Sequence, residues 1–288
     1  AVPPTIAVSS DKSALKASET ATISFVLSEV STDFVLGDIS VAGGTLSDFL
    51  ATGNGVNYSA KFTPTADSVT PGSVSVSNAK FSDRAGNPNA DGADANNTVS
   101  ISVDTKIPTI AVTTPSTSLK SGETATITFT LSEASSNFVS DDVTVTGGTL
   151  SAFTGSGTTY SATFTPTADS TVAGVISVAS SKFSDAAGNQ NADGAEANNT
   201  VSIAIDTAAP TFTSLASATA PENQSIVYTA VASDTTAVTY GITGSDASLL
   251  NIASDGKVTL KSGNLDFDAA NAKKSYSFNV EASDVAGN

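Results

Sequence analysis

The sequence lacks four residue types that carry much of protein chemistry. Its 288 residues include no Cys, His, Met or Trp. Without a thiol or an imidazole there is no cysteine nucleophile, no Ser-His-Asp triad and no zinc or copper site of the usual nitrogen and sulfur kind. Only carboxylate and amide oxygens remain as ligands, so the sequence predicts a protein that is not an enzyme.

Basic residues are also scarce. The chain has 12 Lys and Arg against 28 Asp and Glu, which gives a net charge of −16. Such a surplus repels nucleic acids and anionic membranes, and no apolar run of about 20 residues could span a bilayer. We therefore expect neither nucleic-acid binding nor membrane insertion. The same oxygen-rich composition suits calcium, a hard divalent cation.

The absence of cysteine leaves two compartments open. A cytosolic protein needs no disulfides, and a secreted protein can be stabilised by something else. Richness in Ser, Thr, Gly, Asn and Asp favours a secreted protein. Calcium is abundant outside bacterial cells and can stabilise small domains in place of disulfides. The sequence thus indicates an extracellular location.

What the chain does contain is a long internal repeat. Residues 4–104 recur almost unchanged as residues 108–206, with two residues lost from one turn. TATISFVLSE becomes TATITFTLSE, and both copies contain FSD-x-AGN-x-NADGA. A tandem array is typical of a modular protein whose function depends on the number and spacing of its units. We predict one repeat at residues 1–104, a second at 105–206 and a different domain at 207–288.

Alternating apolar and polar residues predict the fold of each repeat. In the first repeat the apolar positions are Ala21, Ile23, Phe25 and Leu27; Tyr58, Ala60 and Phe62; Val74 and Val76; and Val99, Ile101 and Val103. About seven such segments in ~100 residues, without a helical period, predict an all-β immunoglobulin-like sandwich. The linkers Asp104–Pro108 and Asp206–Pro210 are short and end in proline, so we expect an end-to-end rod of tandem domains.

An ordered set of short phrases adds a family resemblance. LSE, GGTL, FTPTAD, D-x-A-G-N and VDT-x-x-P occur in this order within the repeats. This set resembles the bacterial Ig-like repeats that build the stalks of RTX-type surface adhesins of Gram-negative bacteria, and the resemblance covers residues 1–206. It implies that the repeats bind calcium within and between domains, which stiffens the stalk.

The third segment is similar to a cadherin repeat. PEN, Y-x-I, G-x-V, LDFD and V-x-A-x-D follow each other in the order of that family. The departures are Asp268 in place of the family's Glu and the absence of D-x-N-D-N from the linker. The resemblance implies a cadherin-like domain at 207–288 with calcium ligands at Glu222, Asp266, Asp268 and Asp284.

The loop after each D-x-A-G-N motif offers oxygen-bearing side chains at alternate positions before a glycine. This spacing echoes the first half of an EF-hand loop. The candidate calcium ligands are Asn87, Asn89, Asp91 and Asp94 in the first repeat, and Asn189, Asn191, Asp193 and Glu196 in the second. The alternative is a plain turn, because Asn, Asp and Gly favour turns without any metal.

Sandwich topology predicts further calcium ligands at the joints between domains. The loops between strands B and C and between F and G lie at the N-terminal pole of a domain, against the last strand of the preceding domain. These loops contain Glu29, Asp38 and Asp83 in the first repeat; they bring Asp104 against Glu133, Asp142 and Asp185, and Asp206 against Asp234, Glu222 and Asp284. Converging carboxylates would repel one another without a cation. The alternative is that they are separate, solvated charges.

These patterns predict a monomeric, calcium-stiffened extender of a bacterial cell-surface adhesin. It would contact neighbouring Ig-like or cadherin-like domains of one longer chain and project a tip, outside this sequence, toward a host or surface ligand in adhesion or biofilm formation. Two alternatives stay open: the cadherin-like domain is itself a protein- or glycan-binding module, or the chain is an accessory region of a secreted hydrolase. No strand follows the D-x-A-G-N that ends at Asn288, so we expect the native chain to continue with one.

Overall fold

The computed structural model describes residues 2–91, 94–193 and 197–288 of a chain built from β-strands. Within these residues there are 22 strands and five 3-10 turns, at Leu36–Asp38, Ala95–Asn97, Ser140–Asp142, Ala197–Asn199 and Ala247–Leu249. None of the helical segments in the described ranges has the length and apolar character needed to cross a membrane. The predicted all-β class is confirmed.

The first domain is a sandwich of two four-stranded sheets. Its strands are β1 (Ile6–Ser10), β2 (Ala14–Lys16), β3 (Ala21–Leu27), β4 (Ile39–Ala42), β5 (Gly44–Ala51), β6 (Asn57–Pro64), β7 (Gly72–Val76) and β8 (Thr98–Asp104). One sheet has the order β1-β3-β6-β5 and the other β2-β8-β7-β4. Neighbouring strands are antiparallel, except that β2 and β8 run parallel. This arrangement is the predicted immunoglobulin-like sandwich.

The second domain repeats this architecture. Its strands are β9 (Ile110–Thr113), β10 (Ser118–Lys120), β11 (Ala125–Ser135), β12 (Val143–Thr146), β13 (Gly148–Pro166), β14 (Gly174–Val178) and β15 (Thr200–Asp206). The sheets are β9-β11-β13 and β10-β15-β14-β12. The stretch that forms β5, a turn and β6 in the first domain is the single element β13 here, with Gly155 and Gly157 at positive φ. The two-residue difference between the repeats lies in this turn.

The strands bury the faces that the alternation predicted. Along β3 the four apolar residues are buried, and the residues between them are exposed or half-buried. Five rings in the first domain form a cluster of mostly edge-to-face contacts: Phe25, Phe34, Phe49, Tyr58 and Phe81. The second domain has an equivalent cluster in its own core. Because each repeat encloses a separate core, each can fold as an independent unit.

One glycine in each repeat is required by the packing of this core. A Cβ on Gly44 would lie 2.4 Å from the carbonyl oxygen of Thr63 and 2.6 Å from the ring of Phe62. At Gly148 the corresponding distances are 2.3 Å to Thr165 and 2.6 Å to Phe164. The double glycine of the GGTL phrase therefore allows a strand to pass directly over a fully buried phenylalanine.

The third domain is also β-structured, in smaller sheets. Its strands are β16 (Thr211–Phe212), β17 (Ile226–Thr229), β18 (Ala232–Ser233), β19 (Thr239–Thr243), β20 (Leu250–Ile252), β21 (Lys257–Leu260) and β22 (Asn279–Ser283). They pair as β16-β18, β17-β21-β20 and β19-β22. Within the described part of the chain β19 is the only strand that pairs with β22. The likeness of this domain to cadherin stays a prediction.

Candidate metal centre and domain joints

Each linker is fastened to the domain that it leaves. Thr105 is 5% exposed, and its hydroxyl donates a hydrogen bond of 2.7 Å to the carbonyl of Thr65. Its amide donates to Ser68 over 2.9 Å. Thr207 makes the same two bonds, to Thr167 and Ser170, at the end of the second domain. Pro108 already belongs to the next domain, since its carbonyl accepts from Ala192. Very little chain between the domains is therefore free to bend.

Three carboxylates meet at the joint between the first and second domains. One oxygen from each of Asp104, Glu133 and Asp185 lies within 4.8 Å of the oxygens of the other two. Oε1 of Glu133 is buried without a hydrogen-bond partner among the described residues, and the Lys106 ammonium lies 3.6 Å from it. Burial, reinforced by the charge of Asp104 and opposed by Lys106, raises the pKa of Glu133. This site, which we call joint 1, concentrates negative charge that lacks full compensation.

Oxygen ligands of this kind can hold a divalent cation. Calcium takes six to eight oxygens at about 2.3–2.6 Å and accepts irregular geometry, with water completing the shell. The chemistry of the donor set, three carboxylates of which one has a buried oxygen that accepts no hydrogen bond among the described residues, fits such an ion at joint 1. The strand end carrying Asp104 belongs to one domain, and the end of β11 carrying Glu133 and the loop carrying Asp185 belong to the next, so one ion there would touch both domains.

Asn189 joins the same two domains through neutral hydrogen bonds. Its Oδ1 accepts from the amide of Ala17 in the first domain over 2.7 Å. Its Nδ2 donates to the carbonyl of Asp104 over 3.0 Å and to the carboxylate of Asp185 over 2.8 Å. Beside it, the ammonium of Lys16 donates to the carbonyl of Gly188 over 3.1 Å. The sequence pattern assigned Asn189 to a cation loop and did not indicate this role between domains.

The joint between the second and third domains, joint 2, uses equivalent groups. Asn288 Oδ1 accepts from the amide of Ser121 over 2.8 Å, and its Nδ2 donates to the carbonyl of Asp206 over 2.8 Å. Oδ1 of Asp206 and Oδ2 of Asp234 are buried without a hydrogen-bond partner among the described residues. Burial opposes ionisation of Asp284, but hydrogen bonds from Asn288 hold its pKa below the ordinary value. The predicted meeting of Asp206 with the third domain therefore includes Asp284, through Asn288.

The first domain contains the same turn, for which the described residues show the internal hydrogen bonds and no bond to another domain. Asn87 donates to Asp83 over 2.6 Å, and the amides of Ala85 and Asn87 donate to the same carboxylate. These bonds, led by that from the Asn87 side chain, lower the pKa of Asp83. Glu29, at the position of Glu133, is exposed, whereas only 18% of the Glu133 side chain is exposed. This contrast indicates that Glu133 is buried by its contact with the first domain.

The rest of the proposed cation loop is engaged inside each domain. Asn89 Oδ1 accepts from the amides of Lys80 and Phe81, and Asp91 Oδ1 accepts from the amide of Ile6 over 2.6 Å. Equivalent bonds are made by Asn191 and Asp193 in the second domain. These side chains tie the loop to the first strand, which is a structural role. A cation in this loop remains a prediction, and Glu196 lies outside the described residues.

The remaining predicted ligands lie at other places. Asp38 and Asp142 each accept from a backbone amide three residues earlier, at Val35 and Val139, so Asp142 closes its own 3-10 turn. Asp94 directly precedes the 3-10 turn Ala95–Asn97 without a side-chain cap. Within the described ranges the cluster at joint 1 does not include Asp142.

In the third domain the cadherin-type ligands divide into two places. Glu222 accepts from the amide of Phe267 over 3.0 Å, and Asp266 accepts from the amides of Asp268 and Ala269. Glu222 is thereby associated with the loop at 266–268, whereas Asp284 belongs to joint 2. The structure thus groups three of the four residues in one region.

A cleft of about 760 Å³ lies in the third domain, alongside β22. It is lined by the segment at 216–220 on one side and by residues 274–280 on the other, with the rings of Tyr228, Phe267 and Phe278 among its walls. The sequence did not predict this cleft, because it arises between segments that are distant in the chain.

Comparison with known proteins places the repeats in a family. The family model described as "Bacterial Ig-like domain" matches residues 1–101 and again residues 104–205. No curated protein matches the chain.

Several solved structures are similar to this chain over much of its length. FdeC, an Escherichia coli adhesin, is 18% identical with a TM-score of 0.41, over 70% of this chain and 64% of that one. Invasin, a bacterial integrin-binding protein, is 14% identical with a TM-score of 0.37, over 97% of this chain and 56% of that one. InvD of Yersinia pseudotuberculosis is 18% identical with a TM-score of 0.31, over 98% and 71%. This chain thus covers less than two thirds of the FdeC and invasin chains, and the likeness concerns the fold alone. Because the family model covers more than half of the chain, the chain belongs to the bacterial Ig-like domain family.

Proposed function

We propose that this chain is an extender segment of a bacterial cell-surface adhesin and that calcium stiffens its domain joints. Domains of this family are typically non-catalytic and occur in tandem on surface proteins. The observation that carries the proposal is the set of Asp104, Glu133 and Asp185, contributed by two domains and drawn together at one joint. An extender needs its joints held, because a string of freely jointed domains would not keep a tip at a distance.

A cation would act on the joint by removing repulsion. Two like charges about 4–5 Å apart at a partly buried site repel by several kcal/mol, and Lys106 offsets only part of this. A bound divalent ion converts the repulsion into attraction between Asp104 of one domain and Glu133 and Asp185 of the next. The fastened linker then leaves the pair little freedom to separate.

The test is a calcium titration followed by calorimetry and small-angle X-ray scattering, with and without chelator. Binding to the folded state alone stabilises by RT ln(1 + [L]/Kd), so ~1 mM calcium at a site of ~10 μM adds about 2.7 kcal/mol. Asp185→Asn should abolish most of the binding at joint 1. Asp83→Asn removes the same carboxylate from the turn of the first domain and serves as the matched control.

Two results would contradict the metal proposal. A melting temperature and a maximum dimension that do not change on addition of EDTA would show that the joints are held by packing alone. Equal loss of binding in the two Asp→Asn variants would place the ion inside each turn instead of between domains.

A second candidate function draws on the cleft of the third domain. Its aromatic walls and its position beside β22, which among the described strands pairs with β19 alone, favour a module that binds an extended protein segment or a glycan. Chemical-shift mapping of the chain against peptide and glycan panels tests this function separately. Shifts confined to residues 214–220 and 274–280 would support it, and none at these residues would exclude it for the ligands used.

A further inference from the structure

The two joints share a set of contacts although the domains that follow them differ. In both, an asparagine at the end of D-x-A-G-N accepts from one backbone amide and donates to the carbonyl of the aspartate that ends the preceding domain. The second domain is an Ig-like repeat, and the third has different strands and little sequence in common with it. The contacts therefore depend on the turn and not on the rest of the domain.

The glycine of the motif is part of the same contact surface. Gly188 and Gly287 have φ of +87° and +85°, and a Cβ on either would lie 3.2 or 3.1 Å from the ammonium of Lys16 or Lys120. The glycine thus leaves room for the lysine of the preceding domain. In the first domain Gly86 has φ +85°, and a Cβ there would meet nothing within 4 Å.

The surface on the preceding domain is equally defined. In the first domain it is the turn Lys16–Glu19, whose third residue, Ser18, has φ +66°. In the second domain it is the turn Lys120–Glu123, with Gly122 at φ +78°. The side chain of the glutamate accepts from the lysine amide in each turn, which leaves the next amide, of Ala17 or Ser121, free to bond outward.

We propose that the D-x-A-G-N turn is a docking site for the C-terminal pole of an Ig-like domain, and that Asp83–Asn87 is an open copy of it. Its partner is a domain placed ahead in tandem that presents a Lys-x-(Ser/Gly)-Glu turn and a last strand ending in Asp-Thr. In the described part of the chain no group bonds to Asn87 Oδ1, while the internal bonds of the turn are already made. The site is preorganised, and docking costs little rearrangement.

This inference names the partner of the proposed extender and rests on that function, but the contacts involve no cation. The experiment is therefore done both in EDTA and in saturating calcium, and each asparagine variant is compared with its parent in the same buffer, so that the asparagine contacts are separated from any effect of calcium. Residues 105–207 are joined ahead of residues 2–288 to give a four-domain chain. This join keeps the linker length of joint 1 and uses a domain that has its own closed core.

Amide hydrogen exchange and residual dipolar couplings are the readouts. We expect the Ser121 amide of the added domain to exchange about tenfold faster in Asn87→Ala than in the parent four-domain chain, which matches the loss of one hydrogen bond. Asn189→Ala should have the same effect on the Ala17 amide. Asn87→Asp, which keeps an acceptor and loses the amide donors, should also weaken docking. Unchanged core chemical shifts establish that each variant folds.

Two outcomes would overturn the inference. One is an added domain that, in EDTA and in calcium alike, reorients independently of residues 2–288 in the dipolar couplings. The other is a Ser121 or Ala17 exchange rate that the asparagine variants leave unchanged, because the asparagine would then not hold the domains together.

Discussion

Replacing Glu133 by glutamine tests the electrostatics of joint 1 most directly. At an effective dielectric constant of about 20, repulsion from the carboxylates of Asp104 and Asp185, each within 4.8 Å, costs about 3.5 kcal/mol apiece. Attraction to Lys106 over 3.6 Å offsets about 4.5 kcal/mol. The balance, about 2.5 kcal/mol against docking, disappears in Glu133→Gln.

Two opposite effects are therefore expected from one substitution. Without calcium, Glu133→Gln should favour the docked joint by roughly sixtyfold, the equivalent of about 2.5 kcal/mol. With calcium, it should lose the added stiffness because a charged ligand is gone. Interdomain order is read from residual dipolar couplings and from the exchange rate of the Ala17 amide. Glu29→Gln, at the exposed equivalent in the first domain, should change neither.

The pH dependence has a definite sign. The pKa of Glu133 is raised by docking, so the docked state prefers the protonated acid. In EDTA, docking should be strongest below the ordinary value of 4.5 and should weaken as the pH rises through the raised pKa. Saturating calcium should remove this dependence. If docking in EDTA is the same in the parent and in Glu133→Gln at every pH, the electrostatic account of the joint is wrong.

Three further predictions concern the domains and the linker. Gly44→Ala forces a Cβ against Thr63 and the ring of Phe62, so it should destabilise the first domain by about 3 kcal/mol or more without changing the second, as seen in separate calorimetric transitions. A melting curve unchanged by this variant would contradict the packing described here. Thr105→Val removes the buried hydroxyl of the linker, so it should lower the stability of the linker's attachment to the first domain by about 1–3 kcal/mol. The angle between the two domains should then vary more widely, as measured by small-angle scattering. A scattering profile identical to that of the parent would show that this hydroxyl does not stiffen the joint. Amides of β22 should exchange faster than those of β7 because, among the described residues, β22 pairs with β19 alone, and equal protection would show that its other edge is covered.

The strands of the repeats could be predicted from sequence because a half-buried strand imposes a period of two. Tyr58, Ala60 and Phe62 were assigned to one buried face, and the structure leaves them 7%, 2% and 0% exposed. The third domain followed this logic less well. Its strands are as short as two residues, and such lengths give no measurable alternation.

The joint was partly predictable because topology fixes where loops and strand ends lie. Asp104, Glu133 and Asp185 were placed together on that argument alone. Asp142 was placed with them and lies apart, because its carboxylate bonds to an amide three residues earlier in its own turn. Local hydrogen bonds of this kind compete with long-range contacts, and a sequence does not show which will win.

The role of Asn189 escaped the sequence reading for a different reason. Its spacing to Asn191 and Asp193 matched that of a cation-binding loop, so all three residues were predicted to be ligands of one site. A signal did exist: D-x-A-G-N also occurs at residues 284–288, in a third domain whose sequence otherwise differs from that of the repeats. A motif that persists when its surroundings change has a function of its own.

Use of one set of contacts at both joints has a geometric consequence. If the contacts of Asn189 and Asn288 impose the same rotation and translation between neighbours, each added repeat applies that operation once more. Repeated identical steps generate a helical array. The direction in which a given face of a domain points around the array axis is then set by the position of that domain in the array. Gaining or losing one repeat would then change the direction in which the far end of the array points, as well as its distance from the surface.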